Sequence, residues 1–497
     1  MNSMRKRVAL FVTIHRAYDY AMADDQSPTD SEFQTFAAEA KDLLGPSGWS
    51  EDPGVLDALA MPWRGTYRGH TPFLAKPAST GEVAALVQLC ARTGVAICPQ
   101  GGNTGLVDAG TPHGEITLSL SRMNAVRAVD PLNNAMTIEA GATLVAAQQA
   151  ADEVERFFPL SLGSEGTATL GGLISTNAGG VAVLRYGMMR DLLLGLEVVL
   201  PSGDVWSGLS GLRKNNTGYD LKHLFAGAEG TLGVITAATL KLFPKTARAT
   251  AWITCASAED VISLLALVRD SAGDTATSFE IIPANAIAMV QADMPDIRDP
   301  NPSTAPWRVL CEISMSREAH ARDVLVSALE QAFETGLASD AVLAESLSQA
   351  QVFWTIRESI PLSKRAFGTS INHDVSVPVS KIAVFLDRAE AAVRAVAPNA
   401  EAMAFGHVGD GNLHYSACEP KDAANPILAE HAAAITAAVH REAMTLGGSI
   451  SAEHGVGRLK RDELEATRSP AATAAMRAIK AALDPQNIMN PGRVVSV

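Results

Sequence analysis

Three glycine-rich segments in the first half of the chain constrain its fold more than any other feature. They read CPQGGNTGLVDAG (98–110), LGSEGTATLGGLISTNAGG (162–180) and FAGAEGTLGVIT (225–236). Glycine lets the backbone approach a ligand closely, and runs of N–H groups in such loops form concavities that bind anions. The first segment has neither the lysine of a G-x-x-x-x-G-K-[ST] phosphate loop nor the G-x-G-x-x-G spacing of a dinucleotide fingerprint. A single loop of this kind is most often a plain turn, but three in order favour a large phosphate-bearing ligand.

The size and charge of the chain limit the classes of protein to which it can belong. Its 497 residues exceed the ~250–300 at which single cores stop growing, so we expect two or three domains. The net charge of −14 argues against nucleic acid or an anionic membrane as the main partner. No stretch approaches the ~20 apolar residues of a membrane span. The five cysteines show no C-x-x-C spacing, which predicts reduced thiols and a cytoplasmic location.

Two histidines flank a glycine-rich turn in the segment FGHVGDGNLHY (405–415). Asp-Gly is a favoured central pair of a two-residue hairpin turn, and a turn centred on Asp410 and Gly411 sets His407 directly opposite His414. Cross-strand partners lie ~5 Å apart at Cβ, so both imidazoles would reach one metal ion. The alternative is a surface hairpin whose histidines face each other without a metal.

Several long motifs resemble one family of flavoproteins. Four motifs resemble those of the FAD-binding domain of the vanillyl-alcohol-oxidase type: P-x-G-G-N-T-G-L (99–106), G-S-E-G-T-A-T-L-G-G…S-T-N-A-G-G (163–180), RYG (185–187) and EGTLGVIT (229–236). Four others resemble motifs of its D-2-hydroxyacid dehydrogenase branch, which includes D-2-hydroxyglutarate, D-lactate and glycolate dehydrogenases. They are LRKNNTGYDLKHLFAGAEGTLG (212–233), GHVGDGNLH (406–414), ISAEHGVG (450–457) and DPQNIMNPGRV (484–494). The resemblance extends from about residue 60 to 494 and implies that the phosphate-bearing ligand is FAD, not NAD.

The resemblance also implies a domain organisation and an α+β fold. We expect a two-subdomain FAD-binding domain of the vanillyl-alcohol-oxidase type at 41–246. An α/β substrate or cap domain follows at 247–405, where strands followed by helices predict a sheet covered on one face. A mostly helical segment at 406–497, with an alanine-rich helix at 427–446, is expected to carry the metal and catalytic residues and to close over the flavin. Residues 1–40 are expected to be a flexible lead, within which Met22 is the preferred start.

The residues that would hold FAD follow from the same resemblance. The pyrophosphate is expected to lie against Pro99, Gly101, Gly102, Asn103, Thr104, Gly105 and Leu106. The flavin and its ribityl chain are expected to contact Ser164, Thr169, Asn177 and Ala178. The adenine half is expected to meet Glu229, Gly230, Thr231 and Ile235, while Asn490 closes over the isoalloxazine. We see no obvious attachment histidine or cysteine in these loops, so we expect non-covalent binding.

The resemblance assigns the metal site to His407, His414 and Glu453. This His-His-Glu set suits zinc with an open position for substrate, and manganese or iron are the alternatives. His454, beside Glu453, would take the proton of the substrate hydroxyl, and Asn412 would hydrogen-bond the substrate. The reaction is expected to convert a D-2-hydroxyacid to the 2-oxoacid, with hydride passing to flavin N5.

Substrate and partners are less sharply indicated. Arg357 stands where relatives bind the substrate carboxylate, but Asn372 replaces a lysine that is typical of D-2-hydroxyglutarate dehydrogenases, and Pro361 replaces a hydroxyl residue. Lys364 and Arg365 are close enough in sequence to compensate. We therefore favour D-2-hydroxyglutarate slightly, with D-lactate or glycolate as the alternative, and an oxygen-reactive oxidase or a non-catalytic flavin-binding subunit as further readings. The electron acceptor is expected to be an electron-transferring flavoprotein, a quinone or a cytochrome, and the assembly a homodimer.

Overall fold

The chain divides into two compact units. The computed structural model describes residues 29–63, 65, 67–423 and 427–497, so the expected start at Met22 and residues 1–28 of the expected lead lie outside the described residues. The first unit comprises residues 29–180, Tyr186–Lys245 and Glu453–Val497, and the second comprises Val181–Arg185 and Thr246–Ala452. The segment expected at 406–497 is therefore divided between the two units after Ala452.

The helices are numbered in chain order. They are α1 Asp30–Leu44, α2 Pro53–Leu59, α3 Thr80–Thr93, α4 Leu144–Asp152, α5 Leu170–Ser175, α6 Val183–Tyr186, α7 Lys222–Phe225, α8 Ala258–Ala272, α9 Ala284–Asp293, α10 Glu318–Glu334, α11 Leu347–Phe367, α12 Ile382–Val396, α13 Ala432–Thr445, α14 Arg461–Thr467 and α15 Pro470–Leu483. Short 3₁₀ turns lie at Met189–Leu192, Gly273–Thr275 and Val379–Lys381. Within the described residues, no helix has the length and apolar character needed to cross a membrane.

The strands are numbered in the same way. They are β1 Trp49–Ser50, β2 Leu74–Ala75, β3 Ile97–Gln100, β4 Ile116–Ser119, β5 Val126–Asp130, β6 Ala135–Glu139, β7 Arg156–Phe157, β8 Leu193–Val199, β9 Val205–Ser207, β10 Val234–Lys241, β11 Phe243–Pro244, β12 Ala247–Cys255, β13 Ala276–Pro283, β14 Trp307–Met315, β15 Asp340–Leu343, β16 Gly368–Ser376, β17 Glu401–His407 and β18 Asn412–Pro420. The mixture of helices and sheets confirms the predicted α+β class.

The first helix begins inside the segment expected to be a flexible lead. The Thr29 hydroxyl accepts a hydrogen bond from the N–H of Glu32, and the Glu32 carboxylate accepts one from the N–H of Thr29, which is a capping box. Phe36 of α1 is fully buried and packs edge-on against Phe73, with ring centroids 5.7 Å apart. Residues 30–40 are therefore an ordered part of α1, one face of which packs Phe36, Ala37, Ala40 and Leu44 into the core of the first unit.

Two main sheets build the first unit. The four-stranded sheet has the order β1-β2-β4-β3, with β2, β4 and β3 parallel, and the five-stranded antiparallel sheet has the order β5-β6-β10-β8-β9. Helix α3 buries one apolar face, formed by Val83, Leu86, Val87 and Cys90. Strand β3 ends at Gln100, so the first glycine-rich segment leaves the sheet at that edge.

One antiparallel sheet of seven strands forms the second unit, in the order β15-β12-β14-β13-β17-β18-β16. Successive residues of β13 and β12 point to opposite faces. Ile281 and Ile253 join one apolar cluster, which includes residues of α8, α10, α12 and α13, whereas Ile282 and Trp252 join another with residues of α9 and α11. The prediction that helices cover one face was wrong: they cover both. The alanine-rich helix also starts later than expected, at Ala432.

The hairpin register also differs from the prediction. Phe405 pairs with His414, so the expected pairing of His407 with His414 was wrong by two residues. Gly406 has φ 147°, and a Cβ there would lie 2.8 Å from the carbonyl oxygen of Asn412. The chain then closes with the N–H of Gly411 donating to the carbonyl of His407 (3.1 Å). This wider loop interrupts the alternation of side chains between the two faces of the hairpin. The imidazole rings of His407 and His414 nevertheless lie close together, with their centroids 5.4 Å apart.

A buried lysine fixes the C-terminal helix of the first unit. The Lys480 ammonium donates to the Asp484 carboxylate (2.5 Å), to the carbonyl of Thr231 (2.9 Å) and to that of Met489 (2.8 Å). Burial lowers the pKa of Lys480, and the Asp484 charge opposes that effect. This single cation therefore ties α15 to the third glycine-rich segment, through Thr231, and to the chain that follows α15, through Met489.

We predict that Lys480→Met lowers the free energy of unfolding by about 3 kcal/mol, because it leaves the Asp484 carboxylate buried without its cation. Chemical denaturation monitored by circular dichroism measures this. The control is Lys41→Met, which removes the half-exposed Lys41–Glu51 pair (2.7 Å) and is expected to cost less than about 1 kcal/mol. Equal losses for the two variants would show that Lys480 is no stronger an anchor than a surface lysine.

Candidate active site

The first glycine-rich segment packs against the second. A Cβ on Gly101 would lie 2.2 Å from the Thr169 hydroxyl, and one on Gly102 would lie 2.0 Å from the carbonyl of Thr167. No side chain fits at either position, so these glycines are required by the close approach of two backbones. At Gly105 a Cβ would meet open space, and Thr104 and Leu106 beside it are partly exposed.

Four of the residues expected to hold FAD have left-handed backbone conformations. They are Asn103 (φ 51°), Asn177 (φ 50°), Glu229 (φ 52°) and Asn490 (φ 45°). Asparagine tolerates this region better than other non-glycine residues, and such strain clusters at ligand sites. The amide of Asn103 donates to the carbonyl of Met61 (3.0 Å), while that of Asn177 accepts from the N–H of Arg190 (2.8 Å). Both side chains therefore stabilise their glycine-rich segments through hydrogen bonds to neighbouring backbone groups.

Asn490 ties the C-terminal segment to two of the loops. Its amide donates to the carbonyls of Ala109 (2.9 Å) and Glu229 (2.7 Å), and its own N–H donates to the carbonyl of Ile97 (2.8 Å). The side-chain oxygen of Asn490 is buried and has no hydrogen-bond partner among the described residues. A buried oxygen of this kind calls for a donor. The flavin has an N–H that can meet this need, so the residue fits the expected cofactor.

The other residues expected to contact FAD occupy the same unit. A Cβ on Gly230 would lie 3.1 Å from the Pro99 ring, so the first and third segments touch there. The carbonyl of Ser164 accepts from the N–H groups of Thr167 and Ala168. The remaining members are Thr169, which caps α5, the buried Ala178, Thr231, whose hydroxyl donates to Ala228, and Ile235, which is buried within β10. Their contacts with the cofactor stay predictions.

The Glu229 carboxylate organises the segment that contains the expected base. It accepts hydrogen bonds from the N–H groups of Val456 and Gly457, each at 2.7 Å. Burial raises its pKa to about 7, although these two donors lower it. A Cβ on Gly457 would lie 1.8 Å from the carbonyl of Val107, so the turn also needs glycine. Contact with the adenine half was the expected role of Glu229; the structure shows it holding this turn.

Glu453 and His454 stand just before that turn. Their side chains are 22% and 27% exposed, and the imidazole Nε2 lies 3.9 Å from a Glu453 carboxylate oxygen. An acid and a base side by side, both partly exposed, can meet a substrate. Ala452, the last residue of the second unit, donates its N–H to Asp374 Oδ2 (3.1 Å), and Glu453 is the next residue of the chain.

In the second unit, Asp374 lies beside His414. Their nearest side-chain atoms are 3.7 Å apart, and the two residues are cross-strand partners in β16 and β18. Asp374 Oδ1 accepts from the Asn412 amide (2.8 Å), which also donates to the carbonyl of Val375 (3.0 Å). Asn412 therefore orients Asp374, and its expected bond to substrate stays a prediction. Sequence reasoning did not assign Asp374 to the site, although it lies only two residues after Asn372.

A buried carboxylate connects the second histidine with the expected substrate arginine. Glu280, whose side chain is 1% exposed, accepts from His407 Nδ1 (2.5 Å) and from Arg357 Nε (2.7 Å). Burial raises its pKa, but the adjacent His407 and Arg357 outweigh this and lower it to about 2. A neutral His407 that donates its Nδ1–H to Glu280 would carry its lone pair on Nε2. Sequence reasoning missed Glu280, because no local pattern links it to a histidine 127 positions away.

Helix α11 brings a second cation to the same sheet face. Lys364 Nζ donates to Asn372 Oδ1 (2.6 Å) and to the Ser416 hydroxyl (2.7 Å). Arg357 and Lys364 also lie 4.7 and 5.2 Å from the ring centroid of Phe405. The helix runs through Pro361, which is exposed and so lies away from this face, as does Arg365.

Comparison with known proteins agrees with this architecture. Residues 71–208 match the FAD binding domain, and residues 244–494 match the C-terminal domain of FAD linked oxidases. The chain is 37% identical over 459 residues to the probable mitochondrial D-2-hydroxyglutarate dehydrogenase of Oryza sativa subsp. indica, covering 92% of this chain and 80% of that protein. It is 34% identical over 458 residues to the D-2-hydroxyglutarate dehydrogenase of Stutzerimonas stutzeri (strain A1501), covering 92% and 98%.

Solved structures share the fold. A structure of p-cresol methylhydroxylase with substrate bound superposes with a TM-score of 0.75 at 18% identity, covering 95% of this chain and 98% of that one. One of alkyldihydroxyacetonephosphate synthase gives 0.70 at 18% identity, covering 98% and 92%. The fold and the three glycine-rich segments therefore define a flavoprotein of the vanillyl-alcohol-oxidase type, which confirms the resemblance. The chain belongs to the FAD-linked oxidase family and is an FAD-dependent D-2-hydroxyacid dehydrogenase.

We predict that Glu229 makes the fold less stable as pH rises. Its folded pKa of about 7 lies above its ordinary value of 4.5, so between these pH values the unfolded state releases a proton that the folded state keeps. Stability is then lost by up to ~3 kcal/mol from pH 4.5 to 7 and is level above. Glu229→Gln removes this contribution. Unfolding free energies of both proteins from pH 5 to 8 measure it, and parallel pH profiles would contradict it.

Proposed function

We propose that the protein oxidises D-2-hydroxyglutarate to 2-oxoglutarate at a divalent metal held by His407, His414 and Glu453. The arrangement that carries this proposal is the His407–Glu280 pair beside His414. A metal-bound histidine usually donates its other ring N–H to a carboxylate, which fixes its tautomer. Asp374, beside His414, is a further candidate ligand, because both of its oxygens accept hydrogen bonds, from Asn412 and Ala452, and metal-binding carboxylates are commonly oriented in this way.

Each residue then has a defined task. His454 takes the proton of the C2 hydroxyl at an unprotonated imidazole nitrogen, and Arg357 binds a substrate carboxylate through guanidinium N–H groups other than the Nε–H that Glu280 accepts. A bound zinc ion would act as a Lewis acid that lowers the pKa of this hydroxyl. FAD supplies a two-electron acceptor for the hydride that leaves C2. One proton and one hydride thus leave the hydroxyacid, and the 2-oxoacid remains.

D-2-hydroxyglutarate is preferred over D-lactate for two reasons. The relatives from rice and from Stutzerimonas stutzeri carry the name of the D-2-hydroxyglutarate enzyme. In addition, the charge missing at Asn372 is offset by Lys364, which lies in hydrogen-bond contact with it. D-lactate remains the second candidate, because an asparagine at this position brings no charge of its own.

The proposal also states how FAD is bound, which partners the protein has and where it is located. We propose non-covalent FAD, which acid precipitation would release into the supernatant, and a homodimer. Electrons would pass to an electron-transferring flavoprotein, a quinone or a cytochrome. All five cysteines of the chain are buried and free of disulfides, which agrees with the expected reduced thiols and supports a cytoplasmic location.

The first test is anaerobic reduction of the flavin. D-2-hydroxyglutarate is expected to bleach the oxidised flavin absorbance, L-2-hydroxyglutarate is not, and D-lactate is expected to act more slowly. Treatment with a chelator should slow bleaching by about 100-fold or more, since the metal supplies several kcal/mol of charge stabilisation, and zinc should restore it. Bleaching at full rate in the metal-free protein would refute the metal site. Bleaching by D-lactate alone would replace the proposed substrate.

Glu280→Gln tests how His407 is oriented. The glutamine offers one oxygen where the carboxylate offered two, so His407 Nδ1 or Arg357 Nε loses its acceptor. We expect zinc affinity to fall about 10- to 100-fold, measured as metal retained against graded chelator, with FAD content unchanged. The control is Glu312→Gln, a buried carboxylate that accepts from Trp354 Nε1 (3.3 Å). Equal zinc retention in both variants would show that Glu280 does not orient a ligand.

A further inference from the structure

We propose that an exposed basic segment of the first unit, residues 212–224, is the docking surface for an acidic redox protein that accepts the electrons of the reaction. This inference rests on the proposed function for the supply of electrons, and it adds the surface and the charge of the partner. The segment begins the motif LRKNNTGYDLKHLFAGAEGTLG, and none of the residues expected to hold FAD lies within it.

The basic segment projects into solvent. Residues 212–220 are all exposed and belong to neither a helix nor a strand. Leu212 is 63% exposed and Tyr219 is 95% exposed. Single exposed apolar side chains are common on protein surfaces, but tyrosine and arginine are enriched where proteins bind each other. Tyr219 and Arg213 supply both types within this one segment.

Hydrogen bonds hold the start of the basic segment against the turn at 131–134. The Asn133 amide donates to the carbonyl of Gly211 (3.0 Å), and the Arg213 guanidinium donates to the carbonyls of Asn133 (3.3 Å) and of the next residue (3.1 Å). Leu132 of this turn is 96% exposed. The turn therefore adds a second exposed leucine beside the basic segment.

The charge of this surface is opposite to that of the whole chain. The cations of residues 205–245 are Arg213, Lys214, Lys222, Lys241 and Lys245. The same stretch has two acids, of which Glu229 is buried and Asp220 pairs with Lys222 (2.6 Å). Because the chain as a whole has a net charge of −14, this surface attracts a partner that the remainder repels.

Three of these cations lie close together. Burial lowers the pKa of Lys241, and the charges of Arg213 and Lys222 lower it further, while Asp191 opposes the shift. Like charges at short range repel one another, so an acidic partner would relieve this repulsion when it binds. Lys241 and Arg213 also donate to backbone carbonyls, which are neutral and leave their charges in place.

The cations adjoin the part of the first unit that is expected to contact the flavin. The Lys241 ammonium donates to the carbonyl of Asp191. The preceding residue, Arg190, donates its N–H to the side-chain oxygen of Asn177 (2.8 Å), and Asn177 is one of the residues expected to contact the flavin and its ribityl chain. A redox protein bound to the cations would therefore lie near the cofactor, which rapid electron transfer requires.

The electron balance defines the kind of partner. Oxidation of one D-2-hydroxyacid to the 2-oxoacid yields two electrons and two protons. Two molecules of a haem protein take one electron each, as ferric iron becomes ferrous, and the protons pass to water. The flavin then returns to its oxidised form and accepts the next hydride.

An acidic protein fits this surface better than a membrane or a second copy of the chain does. An anionic membrane is an extended surface and would also meet the acidic remainder of the molecule. A two-fold dimer through the basic segment would place its cations against the same cations of the partner, which like-charge repulsion disfavours. A small acidic protein can contact the basic segment alone.

Two forms of one haem protein test this surface: cytochrome c, which is basic, and succinylated cytochrome c, whose lysines carry carboxylates. Arg213→Gln combined with Lys214→Glu removes one positive charge and reverses another, and the glutamine keeps an amide that can donate to the turn at 131–134. We expect reduction of succinylated cytochrome c to slow about tenfold at low ionic strength. Reduction of unmodified cytochrome c should change less than about twofold, and about 0.5 M salt should abolish the difference between variant and wild type.

The matched control is Lys381→Glu, at an exposed lysine of the second unit, which should behave as wild type with both haem proteins. Anaerobic reduction of the flavin by D-2-hydroxyglutarate should be the same in all three proteins. Calorimetric titration with succinylated cytochrome c at low salt measures binding without catalysis, and the double variant should bind about tenfold more weakly.

Several results would overturn the surface. They are equal affinity of wild type and double variant for succinylated cytochrome c, absence of binding by wild type, and equal slowing of both haem proteins. Loss of binding to phosphatidylglycerol vesicles in the double variant alone would replace the protein partner by a membrane, and a smaller oligomer would replace it by a second copy. Flavin that no D-2-hydroxyacid reduces would instead overturn the proposed function, while the titration still decides the surface.

Discussion

The geometry of the second unit depends on one buried anion, the carboxylate of Glu280. It accepts from an imidazole on β17 and from a guanidinium on α11, so one side chain on β13 sets the position of a strand residue and a helix residue together. A carboxylate without such partners would be neutral at this depth. With them its pKa falls to about 2, so the Glu280 carboxylate stays ionised at neutral pH.

The Glu229 carboxylate of the first unit is a useful contrast. Its hydrogen bonds come from two backbone N–H groups, and the charges of Lys460 and Arg493 lower its pKa less than these do, whereas the cation Arg357 bonds to Glu280 directly. Dipoles compensate burial less completely than a cation does, so the pKa of Glu229 rises while that of Glu280 falls. Both carboxylates serve the same structural purpose, because each holds a residue next to the expected chemistry. Their opposite shifts follow from what donates to them and not from how deeply they lie.

How much the sequence predicted depended on whether the signal was local. The apolar stripe of helix α3 and the β-branched residues that lead into strand β3 are visible in the sequence. The glycine-rich segments indicated a large phosphate-bearing ligand, which the family resemblance identified as FAD. The hairpin itself was predicted, but its register was wrong. Gly406 takes a φ of 147°, and the rule for a two-residue turn does not predict that conformation. The role of Glu280 depends on tertiary contacts, so periodicity and turn chemistry could not reveal it. Lys364 and Arg365 were both candidates to offset Asn372, and the contact with Asn372 is made by Lys364.

The acidic composition of the chain makes its buried cations important for binding an acidic substrate. A protein with a net charge of −14 repels a dianionic substrate at long range, yet salt confines that repulsion to ~8 Å at physiological ionic strength. A cation removed from water interacts far more strongly at contact than a surface charge does at a distance. Two such cations, Arg357 and Lys364, lie on one face of one helix. Buried cations of this kind would attract an acidic substrate without any basic surface, because their interaction is strong only at contact.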